Sequence, residues 1–150
     1  MLDTLHDHGV DVADHSDLPV APWTADTTPG RPNAWRQVVE VVDTARAAVS
    51  GVVAAGQAPL VFGGECTLAI ALVAAAIEHY DDVGLLYVDG GQDLMIPTDH
   101  PEEPILDAMG VAHMLGVTDW YGDQPDAVWP WARVCWATQA LMSAELVETR

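Results

Sequence analysis

The chain contains no lysine, so its 5 basic residues other than histidine are all arginines. They are outnumbered by 23 aspartates and glutamates. This imbalance gives a formal net charge of -18 at pH 7 and a pI near 4.1. Nucleic acids and anionic membranes attract proteins through positive charge, so we expect neither as a partner. The composition is typical of an acidic soluble surface, and adaptation to high salt is the alternative interpretation.

Cysteine is scarce as well. Cys66 and Cys135 are the 2 cysteines of the chain, too few for a disulfide framework, and this predicts a reducing, cytoplasmic location. Long hydrophobic runs are also missing, since no uncharged apolar stretch reaches the roughly 18 to 20 residues that a membrane span needs. The N-terminal stretch lacks the basic start of a secretory signal.

What the chain does have is apolar residues in regular patterns. With 150 residues, 50% of them hydrophobic, it is long enough to bury a core as one globular domain. Helical spacing predicts four helices, at 34–56, 67–80, 103–116 and 137–148. We expect Asn33 to cap the first helix and Gly56 to end it. The second helix is apolar on nearly every side, which predicts that it is sandwiched.

Two short apolar runs predict buried strands, at 59–62 and 83–89, and an alternation at 10–12 suits a strand near the N-terminus. Apolar strands that alternate with helices are typical of a parallel sheet covered on both faces. We therefore predict an α/β fold, a three-layer α/β/α arrangement with a mainly parallel sheet. The functional crevice of such sheets lies beyond the carboxyl ends of the strands. "GGECT" follows the first buried strand there, and "DGGQD" ends the second.

Four stretches, in order along the chain, carry a resemblance: "GVDVADHSDLPV", "VFGGECT", "VDGGQD" and "DAMGVAHMLG". Together they resemble the arginase–agmatinase (ureohydrolase) superfamily, whose members hydrolyse guanidino or amidino C–N bonds with two manganese ions. The resemblance runs from Gly9 to Gly116 and implies one arginase-like domain over 1–150, incomplete relative to the family. Its parts would be an N-terminal strand and loop at 1–32, a matching core at 33–116 and a divergent tail at 117–150.

By this resemblance, Asp89 would bridge two metals and Asp93 would bind one of them, and both carboxylates are present. Cys66 and Gly91 stand where the family has histidine ligands. Asp107 takes the place of the histidine that carries protons during catalysis, so the resemblance gives it the catalytic role. The family's second Asp-x-Asp ligand pair has no counterpart after Gly116. The chain therefore keeps two of the six ligands that the resemblance implies, both carboxylates, and lacks the imidazoles.

Glu65, Gly90 and Gly91 are expected to line the crevice beside these groups. A manganese pair needs several hard oxygen and imidazole ligands, whereas two carboxylates alone hold one hard cation weakly. Cys66 is a softer ligand that suits zinc better than manganese. Three interpretations stay open: a residual metal site, a working hydrolase site, and a purely structural role for the two carboxylates.

Cys66 also invites a different interpretation. It would lie at the start of a helix, where the helix dipole lowers the pKa of a thiol. A nucleophilic cysteine needs a base, and His79 and His113 are the candidates. A small buried cysteine without chemistry is the alternative.

The sequence thus predicts a divergent ureohydrolase-type protein, acting on a small guanidino or amidino compound, with its activity weakened or lost. The implied cofactor is manganese, and the alternatives are zinc through Cys66 or no metal. The second function considered is a non-catalytic arginase-fold module for binding or oligomerisation. In either case we expect a homo-oligomer or a partner subunit.

Overall fold

The structure, a computed structural model, describes residues 2–15, 17–25, 32–96, 101–102 and 105–115. Within these ranges the chain forms four α-helices: α1 at Leu2–Asp7, α2 at Trp35–Ala54, α3 at Leu68–His79 and α4 at Gly110–Met114. A turn of 3-10 helix, Leu106–Met109, leads directly into α4. The helix predicted at 137–148 and the divergent tail at 117–150 lie outside the described residues. None of the described helices is long and apolar enough to span a membrane.

Helix α2 forms as its apolar spacing predicts. Its buried residues recur every three or four positions and so share one face; they are Val38, Val42, Ala45, Val49 and Val53. The predicted end at Gly56 is confirmed, because this glycine takes a φ of 74° that other residues rarely adopt. The N–H of Gly56 bonds to the carbonyl of Val53 at 2.9 Å, and that of Gln57 to the carbonyl of Val52 at 3.2 Å. These two bonds form a Schellman cap.

The start of α2 differs from the prediction. Asn33 does not cap the helix, because the chain turns into it one residue later, at Ala34, with a left-handed φ of 53° and no capping bond from a side chain. The carbonyl of Ala34 accepts the N–H of Val38 at 3.0 Å, and the methyl group of Ala34 is buried. Helix α2 therefore begins without a side-chain cap, at an alanine whose methyl group is buried.

Helix α3 confirms the span predicted at 67–80, and it is enclosed as its composition predicts. None of the residues from 68 to 77 is fully exposed. Its completely buried side chains are mostly short, so that neighbouring helices approach closely; they are Ile70, Ala71, Val73, Ala74 and Ala75. α3 packs against both α2 and α4. The apolar core of the described residues lies between these helices.

Polar residues join α2 and α3 at the C-terminal end of α3. Arg46 forms an ion pair with Glu78, and the hydroxyl of Ser50 donates to Oε2 of Glu78 at 2.7 Å. The bond from Ser50, followed by the charge of Arg46, lowers the pKa of Glu78 despite some loss of water. Ser50 Oγ also lies 2.8 Å from Nε2 of His79. His79 is therefore engaged at the end of α3 that is remote from Cys66.

The segments predicted as strands are only half covered. Val61, Leu85 and Tyr87 pack against the helical core, whereas Leu86 and Val88 are 89% and 88% exposed. Alternating burial is typical of a strand with one open face, but the described residues contain no regular strand. The buried strands predicted at 59–62 and 83–89 are therefore not confirmed within the described residues, where α2 and α3 cover one side of these segments. The parallel sheet itself stays a prediction.

The N-terminal region also differs from the strand and loop expected at 1–32. Residues Leu2–Asp7 form α1, in which no residue is buried, and the stretch at 10–12 forms no regular strand. Val10 is 48% exposed. This part of the chain buries too little apolar surface to hold a strand in place.

The helix predicted at 103–116 is present in part. Ile105 is extended, so regular helix begins later than predicted, with the 3-10 turn, and continues into α4, whose residues are all buried. The N–H of Met95 bonds to the carbonyl of Ala108 at 3.2 Å, and the N–H of Ala112 to the carbonyl of Asp93 at 3.0 Å. These two bonds hold the loop that carries Asp93 against α4.

We predict that His113 makes the protein less stable as the pH falls below neutrality. Its side chain is 4% exposed, and desolvation lowers its pKa to about 4, whereas the pKa in an unfolded chain is about 6.5. Between these values the unfolded chain binds more protons than the folded one. The contribution of His113 is therefore fully present above pH ~6.5 and is lost, by roughly 3 kcal/mol, as the pH falls toward 4.

Urea unfolding of the wild type and His113→Leu at pH 7 and pH 4.5 measures this effect. The variant should lose much less stability than the wild type between these two pH values. His8→Leu, which removes an exposed histidine, should follow the wild type. Equal losses in the wild type and His113→Leu would contradict the assignment.

Candidate metal centre

Three side chains that are distant in the sequence meet at one end of the described fold. Cys66, Asp89 and Asp93 each offer a ligand atom, and these atoms lie within 4.8 Å of one another. The thiol of Cys66 donates to Oδ2 of Asp89 at 3.3 Å. The structure thus brings together the residues that the resemblance implied as metal ligands.

Cys66 is positioned by the turn that leads into α3. A Cβ atom at Gly63 would lie 1.8 Å from Cδ1 of Leu68, so the side chain of Leu68, the first residue of α3, packs closely over this glycine. The carbonyl of Cys66 accepts the N–H of Ala69 at 3.0 Å and so joins the first turn of the helix. The N–H of Cys66 donates to Oδ1 of Asp107 at 2.6 Å. Asp107 therefore anchors the backbone that carries the thiol.

Asp89 ends the segment at 83–89, and its two oxygens face different donors. Oδ1 accepts the N–H of Gly90 and lies 3.4 Å from the N–H of Gly91, while Oδ2 faces Cys66. The hydrogen bond from the thiol, followed by those from the two glycines, lowers the pKa of Asp89. The carboxylate is therefore ionised at neutral pH, as a metal ligand must be.

Asp93 follows in a tight loop and takes a left-handed φ of 47°, a conformation that aspartate tolerates better than most residues. Its oxygen Oδ2 accepts a hydrogen bond from the hydroxyl of Tyr87, which also lies 3.3 Å from Oδ2 of Asp89. Sequence reasoning missed Tyr87. The available signal was its position two residues before Asp89, because side chains two apart in an extended segment point to the same side.

The thiol of Cys66 behaves differently from the sequence expectation. A hydrogen bond with Tyr87 lowers its pKa, but the bond to Asp89, loss of water and the charges of Asp107 and Asp89 together raise the pKa to about 11. The prediction of a lowered pKa at a helix start is wrong, because these neighbours of the thiol raise its pKa instead. A thiol that stays protonated at neutral pH is a weak nucleophile. His113, one of the two candidate bases, is buried in α4 with its pKa lowered by desolvation.

Glu65, expected to line the crevice, is exposed beside Cys66. Desolvation raises its pKa, a hydrogen bond from Thr67 acts against this, and the charge of Asp107 adds to the rise. Gly90 and Gly91 are exposed as well and contribute their N–H groups to Asp89. The catalytic role given to Asp107 stays a prediction.

The number and type of the ligand atoms indicate how many metal ions these residues could hold. One thiol and two carboxylates within 4.8 Å suit a single divalent cation, with water completing its coordination. Two manganese ions need more hard ligands than the described residues bring together here. The described site therefore fits a single cation and does not fit a manganese pair.

Comparison with known proteins links these observations to a family. The model of the Arginase family matches residues 2–143. The arginase of Staphylococcus aureus (strain MRSA252) is 30% identical over 95 residues, which are 61% of this chain and 32% of that protein. The arginase of Bacillus caldovelox is 29% identical over 119 residues, 75% of this chain and 39% of the relative.

A solved structure agrees with the sequence matches. The crystal structure of arginase from Bacillus subtilis subsp. subtilis str. 168 superposes with a TM-score of 0.67 at 25% identity, over 77% of this chain and 38% of that one. The chain thus spans between 32% and 39% of the length of these three relatives. The match supports an α/β fold of the arginase type and confirms the resemblance found in the motifs. The chain belongs to the Arginase family.

Proposed function

We propose that this chain is a divergent ureohydrolase-type protein whose site binds one divalent cation and whose hydrolysis of guanidino or amidino C–N bonds is weakened. The observation that carries the proposal is the convergence of Cys66, Asp89 and Asp93, with ligand atoms within 4.8 Å. This convergence lies where two of the family-like motifs end. The relatives named arginase supply the reaction class, and the substrate would be a small guanidino or amidino compound.

The residues themselves explain why activity should be weak. Gly91 offers no ligand, and Cys66 replaces an imidazole with a thiol that is protonated at neutral pH. Fewer ligands bind a cation less tightly and position it less well. Asp107 accepts the N–H of Cys66, so one of its oxygens is committed to the backbone and is less free to carry protons.

The proposal includes an architecture finer than the family match. The segments at 59–62 and 83–89 would be neighbouring parallel strands of a three-layer α/β/α domain. The bond between Cys66 and Asp89, which joins their carboxyl ends, and the alternating burial of Leu85 and Leu86 support this arrangement. The domain would comprise the N-terminal part at 1–32, the core at 33–116 and the tail at 117–150, in a cytoplasmic protein.

A second candidate function is a non-catalytic module for binding or oligomerisation. The specific observation in its favour is the open apolar side of the segment before the site, where Leu86 and Val88 are 89% and 88% exposed. Exposed apolar patches often mark contact surfaces for other chains. On this alternative the carboxylates would have a structural role, and the function of the chain would be to bind a partner subunit.

Metal binding should depend on Asp89. We expect calorimetric titration of the purified chain to show one zinc ion bound per chain, with weaker binding of manganese because the thiol is soft. Asp89→Asn should weaken zinc binding at least about tenfold, since it removes a charged ligand. Asp81→Asn, which removes an exposed carboxylate outside the three-residue group, should bind like the wild type. Equal affinity of Asp89→Asn and the wild type would show that any bound metal lies elsewhere.

Adding back imidazole ligands should increase manganese affinity. The double variant Cys66→His with Gly91→His replaces the soft thiol and raises the number of ligands, so we expect affinity for manganese to rise at least about tenfold. A Cβ atom at position 91 would lie 3.1 Å from Oδ1 of Asp93, so this carboxylate has to shift slightly. Cys66→Ala with Gly91→Ala makes the same backbone changes without ligands and should show no gain. A double-histidine variant that binds manganese no better than this control would count against the assigned site.

Turnover separates the two candidate functions. We expect slow release of urea or ammonia from at least one member of a panel of guanidino and amidino compounds, assayed with added manganese, zinc or cobalt. Because the reaction depends on the proposed cation, Asp89→Asn should abolish the release and Asp81→Asn should leave it unchanged. No product from any compound with any metal would favour the non-catalytic module.

A further inference from the structure

The hydroxyl of Tyr87 occupies the space between the two carboxylates of the site. It donates a hydrogen bond to Oδ2 of Asp93 and lies 3.3 Å from Oδ2 of Asp89. The thiol of Cys66 donates to this same Asp89 oxygen at 3.3 Å. Hydroxyl and thiol protons therefore face the carboxylate oxygens that are directed into the site.

The position of this hydroxyl is set by the core rather than by the loop. The side chain of Tyr87 is half-buried and packs against the apolar cluster formed by the helices. The apolar cluster thus fixes the position of the ring, and the hydroxyl extends from it to the carboxylates. Loss of water, followed by the hydrogen bond to Asp93, raises the pKa of Tyr87, so its hydroxyl stays protonated and can donate at neutral pH.

We propose that Tyr87 regulates the metal site, because its hydroxyl competes with a cation for the oxygens of Asp93 and Asp89. This inference rests on the proposed function, in which these carboxylates bind a divalent cation. A cation takes carboxylate lone pairs that the hydroxyl otherwise occupies, so the hydrogen bonds have to break when metal binds. Hydrogen bonds to ionised groups are the stronger class in proteins, and their loss lowers metal affinity.

A merely structural role for the hydroxyl would have the opposite consequence. If Tyr87 were needed to hold Asp93 in place, removing the hydroxyl would disorder the ligand and weaken metal binding. The loop is anchored independently, through the bonds from Ala112 to Asp93 at 3.0 Å and from Met95 to Ala108 at 3.2 Å. The backbone of Asp93 therefore keeps its place when the hydroxyl is removed, and competition for its carboxylate is the effect that we expect to dominate.

The test is zinc titration of Tyr87→Phe by calorimetry, with the full chain and zinc chloride as the probe. The variant keeps the ring on the core and removes only the hydroxyl. We expect its dissociation constant for zinc to be at least about tenfold lower than that of the wild type. Tyr80→Phe makes the same change at an exposed tyrosine just after α3 and should leave the affinity unchanged. Circular dichroism and thermal melting without metal verify that each variant is folded.

The outcomes separate this inference from the proposed function. Tighter zinc binding in Tyr87→Phe, or binding that appears only in this variant, supports the inference. Unchanged or weaker binding, in a wild type that binds zinc through Asp89, overturns the role of Tyr87 and leaves the proposed metal site standing. No binding by either protein overturns both. If Tyr87→Phe does not fold, Tyr87→Leu removes the hydroxyl with a different apolar side chain, and the same comparison applies.

Discussion

Helix α3 holds the candidate site together because it is apolar on nearly every side and must be enclosed. α2 and α4 both pack against it, and Leu85 and Tyr87, from the segment before Asp89, pack onto the same core. Because Cys66 lies just before the start of α3, enclosing the helix also brings the thiol to the end of that segment. The site is therefore a consequence of how α3 is buried.

Several carboxylates lie close together at the candidate site, in a chain whose net charge is already -18. Hydrogen-bond donors stabilise these carboxylates. N–H groups of the glycine turn face one oxygen of Asp89, and the N–H of Cys66 faces Asp107. The hydroxyl of Tyr87 bonds to Asp93. Donors of this kind stabilise ionised carboxylates. Of these donors, only the hydroxyl of Tyr87 bonds to a carboxylate oxygen that the proposed cation would use.

Membership of the Arginase family does not by itself mean that this chain catalyses the arginase reaction. The TM-score of 0.67 with a Bacillus arginase shows a shared scaffold, while the motif resemblance implies that Cys66 and Gly91 stand in place of imidazole ligands. Function is carried by sites rather than by folds. Under the proposed function, two carboxylates and a thiol would attract a single cation but would not hold a pair. Whether this chain binds metal is therefore the question on which its function depends.

Local spacing in the sequence determined α2 and α3, since a helical apolar stripe depends only on residues a few positions apart. The motifs also indicated that Cys66, Asp89 and Asp93 would meet, because the carboxyl ends of neighbouring strands lie together. Only the tertiary structure decided the open side of the segment at 83–89, the engagement of Tyr87 and the raised pKa of Cys66. Burial and electrostatics depend on neighbours that are remote in the sequence, and no local pattern encodes which neighbours those will be.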